Sequence, residues 1–557
     1  MQVIKTIVRL LVFFLPVFTY GQSTLLPRGT KFQSLLDRIE IKEQNRLPLN
    51  VSSVTQPYNR SIITKAAESL LPLKYIAPDS LYQPRYTPTD LYNIERLLMN
   101  NQEWVDGDKS RFASRHPWGS AFYQTPSDFL QVNPVINMQL SKEQDNSETV
   151  FLNSKGLTGR GLIAGKVGFD FYVTDNQERT PLFVTARVNE HQAVPGAGFY
   201  KSFKTTAYDY FDARGSVYFT ASKYINLQFG YDKNFIGNGY RSLFLSDAGT
   251  SNLFFKINTR IWKLDYQNLF MELVPSFIKS GDNLTPRKYA AMHHLSVQAT
   301  KWLNVGLFES VIFGRKDHFE FSYLNPIIFL RSAEQQAGSP DNAVVGIDAK
   351  ANIAKRIQLY TQILFDEFKL GELKAGNGWW ANKFGVQAGA KYIDAFTIKN
   401  LDLQGEINIV RPFTYTHSDS VADYSHYNQP LAHPLGANFA ELIGIIKYQP
   451  FPKWYAQAKV ILYRQGLDTA SQNFGSNIFL PYTTRGMNYG YTIGSGAKAN
   501  AVNASLWIGY ELKENLFIDA SMLYRKIDAK NEPALFSKTT LFSLGVRMNV
   551  GRRDYDY

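Results

Sequence analysis

Apolar and polar residues alternate along residues 504–550. Phe542, Leu544, Val546, Met548 and Val550 share one face, and Ser543, Gly545, Arg547 and Asn549 share the other. Two preceding runs repeat the pattern. Leu506, Ile508, Tyr510 and Leu512 alternate with Ser505, Trp507, Gly509 and Glu511; Ile518, Ala520, Met522 and Tyr524 then alternate with Asp519, Ser521 and Arg525. Only Lys513-Glu514-Asn515 separates those two runs, which predicts a hairpin. Successive side chains of a strand point to opposite faces, so each run has one apolar and one polar face. Such strands suit a soluble sandwich, or a transmembrane barrel with acyl chains outside and a wet interior.

The connections between runs decide for the barrel. From about residue 129 onward, short basic and often aromatic turns recur: Lys166-Val167-Gly168, Lys223-Tyr224, Trp262-Lys263, Lys301-Trp302, Lys355-Arg356, Lys399-Asn400, Lys453-Trp454 and Lys513-Glu514. The opposite connections are long, spanning 175–212, 235–252, 275–290, 314–343, 370–382, 411–436 and 466–500. Short turns at one end and long loops at the other, with Trp, Tyr and Lys at the inner interface, are the topology of an outer-membrane barrel. The expected fold is therefore all-β, an antiparallel transmembrane barrel of about 18 strands over 129–550. Both chain ends fall on the short-turn, periplasmic side, leaving 551–557 as a periplasmic tail.

The N-terminal part reads differently. Lys5 and Arg9 precede a short apolar stretch interrupted by Pro16, then Thr19-Tyr20-Gly21, which predicts a cleaved export signal over 1–21. Residues 22–128 read as a small periplasmic helical segment punctuated by Pro48, Pro57, Pro72, Pro78, Pro84 and Pro88. Phe32, Leu35, Leu36 and Ile39 fall at helical spacing, as do Leu91, Ile94, Leu97 and Leu98 behind a cap at Thr89-Asp90. These helices would cover the inner mouth or dock a partner.

Composition narrows the chemistry. The 557 residues include 33 Tyr, 39 Phe and no Cys, which excludes disulfides, thiolate metal sites and a thiol nucleophile. A mean hydropathy of −0.25, with no later apolar run of roughly 18 residues, excludes a helical membrane protein. The net charge of +12 is spread along the chain, so nucleic acid is not an expected partner; outer-membrane lipid and lipopolysaccharide are. Lys391, Asp402, Glu406, Arg525 and Arg547 fall on the polar face and are assigned to the lumen wall, with Lys391 near Asp402 across a hairpin. Residues 439–448 carry apolar side chains on both faces, which calls for something packed inside.

Four loops are too unusual to be connectors. Residues 235–247 combine glycines with Tyr240, Arg241, Asp247 and an apolar Leu243-Phe244-Leu245 run expected to fold into the barrel. Residues 325–342 read as a second inward constriction, with Arg331, Glu334, Gln335, Gln336, Asp341 and Asn342. Residues 375–380 set Trp379 and Trp380 after a flexible turn, and 411–436 carry Tyr424 and Tyr427 among His and Asp residues. Aromatic faces beside polar side chains suit a sugar, so Trp379, Trp380, Tyr240, Arg241, Asp247, Tyr424 and Tyr427 are the glycan-binding candidates. The His and Asp spacing of 411–436 matches no closed metal-ligand set, and no metal or cofactor is assigned. With no nucleophile elbow, phosphate loop or zinc-peptidase helix, catalysis is not expected.

The blocks 235–247, Tyr323-Leu324-Asn325-Pro326, Arg331-Ser332-Ala333-Glu334-Gln335-Gln336, Gly338-Ser339-Pro340-Asp341-Asn342, Gly376-Asn377-Gly378-Trp379-Trp380-Ala381-Asn382 and 427–436 resemble the RemB-like gliding-motility proteins of Bacteroidota. Those are similar in turn to the Wzi capsule-assembly outer-membrane family. The resemblance covers the barrel and implies a monomer of about 18 strands with a plugged lumen. It also implies a surface role with extracellular or capsular polysaccharide, or in motility and adhesion with a periplasmic or gliding-machinery partner. No residue role is carried over by position. A porin or solute transporter is the alternative, and an outer-membrane hydrolase a further one.

Overall fold

The computed structural model describes residues 23–44, 53–70, 85–106, 119–277, 284–316, 318–327, 329–529 and 538–556. The expected export signal lies outside them.

Eighteen antiparallel strands close into a barrel. They are β1 (Phe129–Glu143), β2 (Val150–Ile163), β3 (Val167–Arg179), β4 (Ala207–Thr220), β5 (Ile225–Asp232), β6 (Asn252–Ile261), β7 (Leu264–Leu273), β8 (Lys288–Val297), β9 (Leu303–Phe313), β10 (Asn342–Ile353), β11 (Ile357–Glu367), β12 (Lys383–Tyr392), β13 (Leu401–Val410), β14 (Phe439–Tyr448), β15 (Trp454–Leu467), β16 (Ala497–Lys513), β17 (Leu516–Ala529) and β18 (Lys538–Met548). Each pairs with its sequence neighbour, and the seam joins β18 to β1, from Leu541 opposite Glu143 to Met548 opposite Ile136. The alternation read from the sequence holds here. Leu506, Ile508, Ile518, Phe542, Leu544 and Val546 are exposed on the outside, while Asn503, Phe517, Arg525, Leu541 and Ser543 are buried inside. Trp262, Trp302, Trp454 and Tyr224 stand exposed around the short-turn end, where an aromatic belt would meet an interface.

Helices α1 (Phe32–Glu43), α2 (Arg60–Leu70) and α3 (Pro88–Asn100) form a cap across the short-turn mouth. The expected periodic residues Phe32, Leu35, Leu36, Ile39, Ile94, Leu97 and Leu98 build its core, joined by Ile63, Ala66, Ala67 and Leu70 of α2. The cap of α3 is Thr87, two residues earlier than expected. Its hydroxyl accepts from the Asp90 N–H while the Asp90 carboxylate accepts from the Thr87 N–H, with Pro88 at the first helical position.

Charge ties the cap to the wall. Arg38 reaches Asp90 at 2.7 Å and Asp394 at 2.8 Å, and also pairs with Asp402. Lys42 pairs with Asp90 at 2.7 Å, Arg160 with Glu103 at 2.6 Å, and Lys31 with Glu514 at 2.5 Å. The expected Lys391–Asp402 pair is not formed. The connection between β12 and β13 is a wide turn with Lys391 opposite Gln404, and Lys391 pairs instead with Asp37 of α1 at 3.0 Å.

Two further expectations are corrected. Residues 551–556 do not hang free but turn back into the lumen, where Tyr555 and Arg553 meet Glu178 of β3 at 2.6 and 3.2 Å. The 325–342 stretch is not an inward constriction. Helix α4 (Leu182–His191) enters the lumen, with Arg525 lying 4.5 Å over Phe183. Helix α5 (Leu330–Gln336), by contrast, lies outside the wall, with Arg331, Gln335 and Gln336 exposed. Arg331 pairs with Glu334 at 2.9 Å, and Asp341 holds Arg315 at 2.6 Å. Leu330 and Tyr323 pack against Phe270, Val311 and Phe313, which face outward, so apolar burial draws this loop over the barrel's exterior.

Burial opposes the charge on Asp90, yet Arg38 and Lys42 hold its carboxyl well below the usual carboxylate range. Stability from a depressed carboxylate is present above the unfolded value of about 3.9 and drains away as pH falls toward the folded value. The cap is therefore expected to loosen below about pH 4, read as rising proteolysis of 23–106 with the barrel still heat-modifiable on gels. Arg38→Ala at neutral pH takes from Asp402 its cation and leaves Asp90 and Asp394 to share Lys42, and should cost on the order of 3–5 kcal/mol of cap attachment by the same assay.

Candidate functional site

Two regions beyond the wall gather functional side chains, the filled lumen and the long-loop rim. The lumen is filled first by the segment after β5. Phe235 and Ile236 pair with Thr55 and Gln56 of the N-terminal segment. Leu243, Phe244 and Leu245 bury themselves among Phe254, Leu269, Met271, Phe308, Val344 and Leu364 of the wall. Phe244 stacks on Phe308 with centroids 4.4 Å apart and planes 6° from parallel. Gly346 of β10 makes room, since a Cβ there would lie 2.4 Å from the Phe244 ring.

Polar wall residues hold this plug by its backbone. Glu406 accepts from the N–H groups of Tyr240 and Arg241 at 2.6 and 3.0 Å and from the Tyr360 hydroxyl at 2.8 Å. Gln362 accepts from the Leu243 N–H at 2.9 Å and donates to the Ile236 carbonyl at 3.1 Å. The expected apolar filler for β14 is Tyr240, which packs on Ile443, Ile445 and Ile461.

The 411–436 loop is the second plug. Tyr415 and Tyr424 are buried and donate to the Leu243 and Phe244 carbonyls at 2.8 and 2.7 Å. Two of its polar side chains are tied to the wall: Asp423 pairs with Lys288 at 2.5 Å, and His433 shares a hydrogen bond with Glu441 at 2.7 Å. Burial pushes His426 down to about 4, so it stays neutral and accepts from the Val274 N–H at 3.0 Å. Below this layer the tail closes the network, Asp556 meeting Lys459 at 2.6 Å, Arg241 at 3.6 Å and the Tyr240 hydroxyl. Burial opposes the Asp556 charge, but Lys459 and Arg241 hold its carboxyl far below the usual range. Between plug and cap lies a chamber of about 410 Å³ lined by charged and aromatic side chains, among them Arg28, Asp37, Tyr240, Lys447 and Trp507.

At the long-loop rim, helix α6 (Leu370–Ala375) leads into the Gly376–Asn382 turn. This turn zips onto the 482–491 loop: the Trp380 N–H donates to Asn488 at 3.0 Å and the Tyr491 N–H to Gly378 at 2.9 Å. A Cβ on Gly378 would strike the Tyr491 backbone at 2.8 Å, so glycine is needed for this approach. Trp380 is clasped by Arg485 at 3.9 Å, Tyr482 at 4.7 Å and Phe413 at 6.1 Å. Trp379 is freer, with Lys369 at 5.5 Å and the Trp380 ring at 6.4 Å. Met487 and Tyr489 stand exposed beside them.

The seven glycan-binding candidates do not form one site. Tyr240, Arg241 and Asp247 belong to the lumen, with Asp247 paired to Arg28 at 2.6 Å. Tyr424 is fully buried, and Tyr427 sits edge-on to Phe277 at 4.9 Å. Only Trp379 and Trp380 of the seven stand together at the rim. Sequence reasoning missed Tyr482 and Arg485, whose signal was the aromatic and basic content of the 466–500 loop, and Lys459 and Asp556, which gave no signal.

Among solved structures, this fold is similar to that of an Escherichia coli barrel. Wzi, described as an outer-membrane protein involved in group 1 capsule assembly and a carbohydrate-binding β-barrel, superposes with a TM-score of 0.56 at 13% identity, over 96% of this chain and 100% of its own. This chain has the Wzi fold. Pseudomonas aeruginosa OprD matches with a TM-score of 0.43 at 13% identity, over 75% of this chain and 94% of that one. OpdK from the same organism, solved with vanillate, gives 0.44 at 10% over 75% and 98%. No family model and no curated protein matches the sequence, so the RemB-like resemblance finds no support there, while the resemblance to Wzi is upheld at the level of fold.

Glu406 is the residue on which the plug's backbone hangs. Glu406→Ala leaves buried N–H groups unpaired, each costing about 1–3 kcal/mol. Hydrogen exchange across 235–247 should accelerate accordingly, while the wall strands keep their protection.

Proposed function

We propose that this chain is an outer-membrane barrel whose short turns face the periplasm, the side from which both chain ends enter, and whose long-loop rim holds surface polysaccharide. The observation that carries the reading is the Trp379 indole, half-exposed on a scaffold that Trp380, Tyr482 and Arg485 lock in place. A rigid aromatic face takes the C–H side of a pyranose, and the adjoining Lys369 supplies a charge for acidic sugars. Wzi, with the same fold, carries the description carbohydrate-binding. Retaining an extracellular polymer is also what adhesion or gliding would draw on. The apolar outer wall supports the location. The chain is proposed to act as a monomer.

A second reading, passage of a small solute, draws on the charged chamber of about 410 Å³. The dry Leu243–Leu245 plug weighs against it.

Trp379→Ala is expected to weaken retention of the host's own surface polysaccharide roughly fivefold, for about 1 kcal/mol of lost stacking, with heat-modifiable migration unchanged. Unaltered binding by the assembled variant defeats the rim reading. In planar bilayers the protein is expected to show no steady conductance; open-channel steps would favour the solute reading instead.

A further inference from the structure

Three polar side chains face the wrong way. On β7–β9 the outward positions include Asn268, His293 and Glu309, which stand opposite one another in a single cross-strand row. The row continues into Ile257 on β6 and Val345 on β10. Val345 is 43% exposed and belongs to the bare apolar exterior. An uncovered amide, imidazole and carboxylate in that belt would meet hydrocarbon, where each unsatisfied polar group costs several kcal/mol.

Residues 319–327, with Phe329 and Leu330, cover them. The Phe329 and Leu330 N–H groups donate to Glu309 at 2.6 and 2.8 Å, and His293 Nδ1 shares a hydrogen bond with the same carboxylate at 2.9 Å. Asn268 donates to the Pro326 carbonyl at 3.2 Å. Underneath, Tyr323 lies 4.7 Å from Phe313, and Phe319 meets Tyr289 at 5.6 Å. Phe329 adopts a left-handed backbone with φ of 108°, a strained conformation that the Glu309 contacts hold. The opposite surface of this segment is not that of an aqueous loop, since Phe321, Leu324, Ile327 and Phe329 are 77%, 40%, 65% and 71% exposed.

We infer that this segment is a strap embedded in the bilayer, its outer face taking lipid acyl chains as a continuation of the apolar belt. Its inner face uses backbone groups to satisfy Asn268 and Glu309. The inference rests on the membrane placement proposed above, and the test separates the two.

The chain contains no Cys, so single nitroxide labels report one position each. Ile327→Cys and Phe329→Cys are labelled in protein reconstituted into phosphatidylcholine vesicles, with Leu544→Cys as a belt control and Tyr489→Cys as a rim control. The strap predicts that labels at 327 and 329 match 544 in high collision with oxygen and low collision with a water-soluble nickel chelate, whereas 489 shows the reverse. Nickel access at 327 and 329 with oxygen access at 544 overturns the strap alone, and nickel access at 544 overturns the membrane placement. Dipolar broadening between labels at 329 of separate copies overturns lipid as the occupant in favour of a second chain. Adding Glu309→Ala is expected to bring loss of immobilisation at 327; an unchanged spectrum overturns the role given to Glu309.

Discussion

The closed hydrogen-bond ladder is the constraint from which the rest follows. Once β18 pairs with β1, no edge is left, and each strand residue must point either outward or into the lumen. The outward set is apolar almost throughout. The inward set is polar, and its amides and carboxylates need partners that water alone does not supply in a packed interior. Plug, cap and tail are the partners, and they are recruited from segments far apart in sequence.

Those segments meet the wall by two different physical means. Toward the long-loop end, Leu243, Phe244, Tyr415 and Tyr424 pack against a lumen wall that is locally apolar, and the two tyrosine hydroxyls donate to backbone carbonyls. Toward the short turns, Arg38, Lys31 and Arg160 of cap and wall join carboxylates across the mouth. Glu406 and Asp556 sit between, the first accepting from backbone N–H groups of the plug and the second pairing with Lys459 and Arg241.

The wall was legible in the sequence because its signal is local. A period of two with a basic aromatic turn at every second connection sufficed to find 18 strands and to place Lys391, Asp402, Glu406, Arg525 and Arg547 inside. Apolar residues in a loop, by contrast, announce burial but not its direction. Leu243-Phe244-Leu245 go inward and Ile327 and Phe329 go outward, although both runs read as plugs. The difference lies in what each meets, Gly346 opening a recess inside and Glu309 offering an acceptor outside, and neither is adjacent in sequence. The candidate site was legible only in part for the same reason. Trp379 and Trp380 announce themselves, whereas Tyr482 and Arg485 come to them from a loop about a hundred positions on. The tail's charges gave no hint, because their partners, Glu178 and Lys459, lie on strands that the sequence shows only as alternating.

The contrast between the two ends of the lumen has a consequence for how the interior answers its solvent. A kosmotropic anion such as sulfate strengthens apolar burial by its exclusion from the surface. The same ion screens pairs that water can still reach, such as those made by Asp394 and Asp402, each 17% exposed at the side chain. One solute thus tightens the dry layer and slackens the ionic one, so the vessel's two closures are addressed in opposite senses without any change of sequence.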